Sequence, residues 1–155
     1  SEVSVREFSI FVNEPGVAWI KPEPTVDTIS VSYTTYYDEW EQTDVVDWKS
    51  IPLLAATSHV AGQNYWGDDM YESLEFNLIS SNPTISNSGL ELASPYFDSS
   101  MGTISSEFTG QPTSFYSDTS FVVTIKAKET NTPAFNSVRN LTITILADPS
   151  FISPS

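Results

Sequence analysis

The amino-acid sequence predicts an all-β fold with two sheets packed face to face. Several segments of the 155 residues place apolar side chains at every second position, which is the spacing of a strand with one buried face. No segment shows the 3.6-residue apolar period of a long amphipathic helix. The 10 prolines and many of the Ser, Thr and Asn residues lie between the strand candidates, as the connections of a β-sandwich require.

The first third of the chain contains two strand candidates and an acidic loop. Residues 3–12 alternate as a strand, and residues 13–16 follow as a turn or hinge because they contain a Pro-Gly pair. Residues 26–37 alternate as a second strand, with Ile29 and Val31 on its apolar face. We expect residues 38–48, DEWEQTDVVDW, to form an acidic loop that carries two Trp side chains.

The remaining strand candidates come later in the chain. Residues 71–79 predict a strand with Leu74, Phe76 and Leu78 facing inward. The clearest pair is 119–128 and 138–146, joined by a predicted loop over residues 129–138. The side chains of this pair that we expect in the core are Phe121, Val123, Ile125, Ala127, Leu141, Ile143 and Ile145.

One short phrase occurs near both ends of the chain. Residues 6–15 read REFSIFVNEP and residues 139–149 read RNLTITILADP. Each contains an Arg, a strand-like run, an acidic residue and a Pro, which is typical of a last strand running into the hinge before another domain. The repetition favours a domain array, and arrays serve mostly for reach and attachment.

Residues in the second half resemble a known domain family. The stretches Gly89-Leu90-Glu91-Leu92, residues 97–105 and the turn Gly110-Gln111-Pro112-Thr113 are similar to the Ig-like, cadherin-like (dystroglycan-type) family. The resemblance covers about residues 49–147 and implies an Ig-like/cadherin-like β-sandwich with extra N-terminal strands. The calcium sequences of true cadherins are missing, so the resemblance implies no calcium ligands.

A second resemblance concerns the setting of the domain. Residues 17–20, VAWI, resemble the opening of tandem Ig-like modules in phage virion and bacterial surface proteins. We predict N-terminal strands and an acidic aromatic loop over residues 1–48, which either end a preceding module or extend the sandwich. The sandwich itself is predicted over residues 49–147, and a linker or tail over residues 148–155.

The charge balance argues against two classes of partner. The chain has 20 acidic and 6 basic residues and a formal net charge of −14. Such a surface repels phosphate backbones and anionic lipids, so we expect neither nucleic acid nor membrane as a partner. The same charge favours solubility, cation binding or a salty environment.

The residue inventory offers little catalytic chemistry. There is no Cys, and the one histidine, His59, lies in no nucleophile-elbow context, so we expect a loop or core-edge imidazole and no enzyme. Two acidic stretches are candidate cation sites, without EF-hand spacing. Their members are Asp38, Glu39, Glu41, Asp44 and Asp47, then Asp68, Asp69 and Glu72. We predict no cofactor, with calcium as the alternative that these stretches leave open.

Aromatic side chains are the candidate binding residues. Trp40, Trp48, Tyr65 and Trp66 crowd the first half of the chain, where they either fill gaps between sheets or bind sugar rings and protein surfaces. The sequence favours a non-catalytic structural or attachment module of a phage or viral particle (tail, neck or capsid decoration), in contact with copies of itself or other structural proteins. The alternative is a carbohydrate- or calcium-dependent adhesion module at a bacterial surface. An acidic hydrolase domain is a third.

Overall fold

The described structure consists of β-strands and their connections. It is a computed structural model that describes residues 16–31, 33–48, 50–82, 89–110 and 119–146; for residues 33–36, 44–48 and 119 it describes the backbone. These residues contain thirteen strands and no helix, so none of them forms a helix that could cross a membrane. The strands are β1 Val17–Lys21, β2 Thr28–Val31, β3 Tyr33–Asp38, β4 Thr43–Trp48, β5 Ile51–Thr57, β6 Val60–Gln63, β7 Asp69–Tyr71, β8 Leu74–Asn82, β9 Leu90–Leu92, β10 Tyr96–Asp98, β11 Thr103–Gly110, β12 Thr119–Glu129 and β13 Asn136–Ile145.

Two larger sheets form the body of the molecule. The first has the order β1-β5-β11-β10, with β9 also paired to β11, and all its pairs are antiparallel. The second has the order β2-β13-β12-β8 and is antiparallel except for β2, which runs parallel to β13. Strands β3–β4 and β6–β7 form two separate hairpins. The chain is therefore all-β, and its architecture is that of a β-sandwich.

One apolar core lies between the two larger sheets and takes side chains from both. The alternation predicted for the last strand pair is confirmed, because every inward side chain of β12 and β13 named above is buried. Leu74 and Phe76 are buried as predicted, and Leu78 packs against the same cluster. The first sheet contributes Trp19, Ile51, Leu53, Ala55, Leu90, Ile104 and Phe108.

The two ends of this body carry different connections. At the Thr57 pole, β1 begins beside the end of β5, and Thr57 Oγ1 lies 2.8 Å from Glu129 Oε2 at the end of β12. At the Ile51 pole, β5 begins and β13 ends, and the Leu146 N–H donates to the Val31 carbonyl at 2.8 Å. Hairpin β6–β7 connects β5 to β8 at the Thr57 pole, and hairpin β3–β4 connects β2 to β5 at the Ile51 pole.

Two predictions for the first third of the chain are wrong. Residues 38–48 are not a loop, because β3 and β4 pair in register from Tyr33–Trp48 to Asp38–Thr43. The acidic residues hide the β-branched character of β4, and the turn forms locally as Asp38 accepts backbone hydrogen bonds and Gln42 takes a left-handed φ of 55°. Residues 26–37 are not one strand, since β2 pairs with β13 whereas β3 pairs with β4.

The later boundaries need smaller corrections. Residue 71 ends β7, and a separate strand, β8, begins at residue 74. The predicted loop over 129–138 is shorter, because β12 continues to Glu129 and β13 begins at Asn136. The predicted strand over 3–12, the turn over 13–15, the Gln111–Thr113 part of the turn and the tail over 148–155 lie outside the described residues. Strands β1 and β2 pair with β5 and β13, and the predicted division at residue 48 stays a prediction.

Candidate functional site

The hairpin at the Ile51 pole ends in an exposed tryptophan. The Trp40 side chain is 95% exposed, and Tyr37 on β3 is 58% exposed. Asp38 Oδ1 fixes the turn by accepting hydrogen bonds from the backbone N–H groups of Trp40 at 2.9 Å and Glu41 at 3.2 Å. The tip is thus a defined turn that presents a large apolar side chain to solvent.

The hairpin at the Thr57 pole ends in an exposed aromatic pair. Tyr65 is 93% exposed and Trp66 is 80% exposed, and their rings meet edge to face with centroids 5.8 Å apart. Asn64 Oδ1 organises the turn because it accepts from the N–H groups of Trp66 and Asp68, both at 2.9 Å. Gly67 completes the turn with a φ of 86°. Exposed aromatic rings on an ordered turn are suited to stacking on a ligand.

The acidic candidates do not assemble into a described metal site. Asp38 uses its carboxylate to cap the turn before Trp40, and Glu39 and Glu41 are exposed beside it. Asp68 Oδ2 and Asp69 Oδ1 accept from the amide side chains of their own hairpin at 3.5 and 3.4 Å. No group of three His, Asp or Glu side chains among the described residues could hold a metal ion. The side chains of Asp44, Asp47 and Trp48 lie outside the described part.

A buried carboxylate secures the base of the Thr57-pole hairpin. Glu129 is fully buried; Thr57 Oγ1 donates to its Oε2, and His59 Nδ1 lies 2.8 Å from its Oε1. The His59 carbonyl accepts from the Glu72 N–H at 2.9 Å, which joins the two feet of the hairpin. The imidazole also packs edge to face on Phe135. This cluster ties β5, β12 and the hairpin together.

Sequence reasoning missed Glu129, although a signal for it exists. The residue continues the inward phase of β12, two positions beyond the buried Ala127. His59 lies in the connection between β5 and β6 with its side chain 31% exposed. The arrangement orients an imidazole against a carboxylate. The Thr57 hydroxyl accepts from the backbone N–H of His59 at 3.0 Å and donates to the same carboxylate.

A second buried charge fixes the crossover from β1 to β2. Arg139 on β13 is only 8% exposed and donates to the carbonyls of Pro22, Glu23 and Val26, the last at 2.5 Å. Burial lowers the pKa of the Arg139 guanidinium, although the nearby carboxylate of Asp27 acts in the opposite direction. The crossover is therefore held to the second sheet by three charge-assisted hydrogen bonds.

The neighbouring Trp19 differs from the exposed tryptophans. It is buried, stacks on Phe76 with ring centroids 5.3 Å apart, and donates from Nε1 to the Ser137 carbonyl at 3.1 Å. The guanidinium carbon of Arg139 lies 5.9 Å from its ring centroid. Trp19 thus fills the space between the sheets.

An apolar cleft opens beside this crossover at the Ile51 pole. Its volume is about 450 Å³, within the usual range of small-molecule pockets. It lies between the crossover, β2 and the first residues of β5. Its lining residues are Lys21, Pro22, Glu23, Ile29, Ser30, Val31, Ser50, Ile51 and Pro52.

Comparisons of the chain with protein-family models, with curated proteins and with solved structures found no match. The Ig-like and cadherin-like resemblance therefore stays a prediction. The sites described above are defined by geometry: two exposed aromatic tips, the Glu129 cluster that supports one of them, and the cleft at the Ile51 pole.

Proposed function

We propose that this chain is an Ig-like, non-catalytic attachment module. The strand order supports the Ig-like type. With the two hairpins treated as insertions and the strands lettered in chain order, the first sheet has the order A-B-E-D and the second contains C-F-G, as in constant-type immunoglobulin domains. Strand D is divided into β9 and β10, and β2 is added beside β13.

The exposed aromatic tips carry the functional part of the proposal. Tryptophan is highly buried on average, and aromatic residues are enriched at the centres of protein interfaces. The tips of Trp40 and of Tyr65–Trp66 lie at opposite poles. The first described residue, Gly16, lies beside Ser58 at the Thr57 pole. The last described residue, Leu146, lies beside Val31 at the Ile51 pole. In an end-to-end array, each tip would lie near an adjacent module.

A phage or viral particle is the setting that we propose, as a tail, neck or capsid-decorating component. Its partners there are other structural proteins or copies of the same chain. The net charge of −14 supports this choice over nucleic-acid or lipid contacts, since both are anionic. The same function is also compatible with an extracellular or cell-surface location.

The Tyr65–Trp66 pair favours one second candidate, a carbohydrate-binding adhesion module. Aromatic faces stack on sugar rings, and the carboxylates of Asp68 and Asp69 lie on the same hairpin. Binding of a glycan array that Trp66→Ala abolishes and Trp40→Ala leaves intact would select this candidate.

The main proposal is tested by co-expressing a tagged copy of the chain with an untagged copy and with structural proteins of the same source genome. We expect co-purification that weakens at least about tenfold in Trp40→Ala or Trp66→Ala, because each removes an interface anchor. Tyr96→Ala is the matched control, since Tyr96 is 68% exposed but lies on β10, away from both tips. Full assembly by the Trp40→Ala/Trp66→Ala double variant would contradict the proposal.

A further inference from the structure

The cleft at the Ile51 pole is bordered by a strand edge that no described strand covers. Strand β2 is at the margin of the second sheet and pairs only with β13 among the described residues. The carbonyls of Asp27 and Val31 accept from the N–H groups of Thr142 and Leu146, both at 2.8 Å. In a parallel pair, one residue directs both its N–H and its C=O group toward the neighbouring strand, and the next residue directs both away. Thr28 and Ser30 therefore direct their N–H and C=O groups away from β13.

The facing wall of the cleft, formed by the first residues of β5, also has an open edge, but this edge offers fewer hydrogen-bond donors. Strand β1 pairs with β5 only from Thr57 to Leu54, so residues 51–53 have no described partner on that side. Pro52 has no N–H to offer. The better hydrogen-bonding edge is therefore that of β2, with Thr28 and Ser30 two residues apart as an extended strand requires.

From this geometry we propose that the cleft accepts an extended peptide segment of a partner protein, which adds to the free edge of β2. The main chain of the segment bonds Thr28 and Ser30, and its alternate side chains enter the cleft. Ile29, Val31 and Ile51 make the wall apolar, so the segment carries aliphatic residues at every second position.

The net charge of the molecule indicates which residue types occupy the outward positions of the segment. The chain has a net charge of −14, so an acidic partner is repelled. At this cleft a second copy, which has the same net charge, is a weaker occupant than a basic segment. We therefore assign Lys or Arg to the outward positions of the segment. The Arg139 hydrogen bonds to Pro22, Glu23 and Val26 hold the crossover in place, so the cleft exists before binding.

This site is separate from the aromatic tips and does not depend on the function proposed for them. The probe is an acetylated and amidated heptapeptide of alternating lysine and valine. Hydrogen exchange and chemical shifts of the full chain are followed by NMR during titration. Binding should slow the exchange of the Thr28 and Ser30 amides at least about tenfold at saturation. The exchange of Thr142, inside the sheet, should not change.

Two matched controls separate strand addition from charge attraction. Ser30→Pro removes an N–H that β13 does not use, whereas Ser30→Ala keeps it, so only the proline variant should lose affinity, by about tenfold or more. Two further peptides are N-methylated at all lysine or at all valine nitrogens. In an extended strand, alternate residues direct their N–H groups to opposite edges. A peptide that pairs with β2 along one edge therefore uses the N–H groups of either its lysines or its valines. One of the methylated peptides should bind and the other should not.

Several outcomes would overturn the proposal. They are equal binding by both methylated peptides, equal binding by Ser30→Pro and Ser30→Ala, and unchanged exchange of the two amides. Protection of these amides before peptide is added would show that the edge is already occupied. If that protection rose with protein concentration, the occupant would be a second copy instead of a basic partner.

Discussion

At the scale of single residues, inward-outward alternation determines most of what is buried. It correctly identifies every second residue from Phe121 to Ala127 and from Leu141 to Ile145 as a core position, because a strand with one solvated face has a strict period of two. The same phase extends to two charged residues, Glu129 and Arg139, which are also buried.

The inward position of Ile143 in this alternation predicts the effect of truncating its side chain. Ile143 is fully buried between the sheets, so Ile143→Ala removes apolar contacts and leaves a cavity. We expect the free energy of unfolding in urea to fall by about 2–5 kcal/mol. Thr142→Ala, on the opposite face of β13, is the control and should change it by only about 0.5 kcal/mol. Equal effects would mean that the assigned phase is wrong.

The alternation of β12 places Glu129 on the inward face, but its partners could not be assigned from local sequence because they are distant. Burial of a carboxylate is costly without hydrogen bonds, and here Thr57 and His59 supply them from 72 and 70 positions away along the chain. No local pattern contains that information. The exposed Trp40 and Trp66 were predictable candidates because nothing in the strand pattern requires them in the core.

Removal of the buried carboxylate should loosen the Thr57-pole hairpin. In Glu129→Ala the buried Thr57 hydroxyl loses its acceptor, at a cost of about 1–3 kcal/mol in the free energy of unfolding. Hydrogen exchange of the Glu72 amide, which donates to the His59 carbonyl, should accelerate. Glu75→Ala removes a partly exposed pair with Lys128 and should cost about 0–1 kcal/mol. An unchanged Glu72 amide would refute the anchoring role.

At the scale of elements, the two longest strands, β12 and β13, were predictable, whereas shorter ones such as β5 were not. Strands β12 and β13 have enough alternating residues to define a face. Strands β2 and β3 read as one strand because alternation does not show that they pair with different partners. The acidic residues of the β3–β4 hairpin lower its apparent strand character, and its two strands stabilise each other by cross-strand pairing.

The turn between β10 and β11 contains a glycine that the fold requires. Gly102 has a φ of 70°, and a Cβ there would lie 2.7 Å from Tyr71 Cγ and 2.8 Å from the Thr57 carbonyl oxygen. Gly102→Ala should therefore reduce the free energy of unfolding by about 2–4 kcal/mol, from backbone strain and crowding together. Gly67, with a φ of 86° and open space, is the matched control, and Gly67→Ala should cost about 1 kcal/mol. Equal losses in urea unfolding would exclude the crowding.

The same turn contributes a dependence of stability on pH. The Ser100 hydroxyl and the N–H groups of Ser100 and Met101 donate to Asp98 Oδ1, and these bonds lower the pKa of Asp98 below its ordinary value of 3.8. This stabilisation is present above pH 3.8 and is lost as the pH falls through the lower, folded-state pKa. Asp98→Asn should flatten that part of the urea-midpoint profile. Superimposable profiles would contradict the assignment.

At the scale of the whole molecule, the sequence predicts the class of the fold better than its use. Alternation and turn residues are local and indicate an all-β, sandwich-like body. The position of each exposed aromatic tip at its own pole depends on which strands the hairpins connect, a long-range property. The cleft likewise arises where the chain leaves β1 and crosses to β2 in the other sheet, a point that no short motif marks.

The excess of acidic residues gives the last prediction, on ions. With a net charge of −14, self-repulsion destabilises the folded chain, so raising NaCl from about 10 to about 150 mM should raise the melting temperature.

At equal ionic strength, calcium and magnesium should then give the same further shift in melting temperature, because no three described acidic side chains converge on one point. Calcium prefers six to eight oxygens in a flexible loop, whereas magnesium retains its waters, so a wrapped site would favour calcium. A calcium-specific rise, reversed by chelator and abolished by Asp44→Asn with Asp47→Asn but not by Asp68→Asn with Asp69→Asn, would instead identify a cation site on the β3–β4 hairpin.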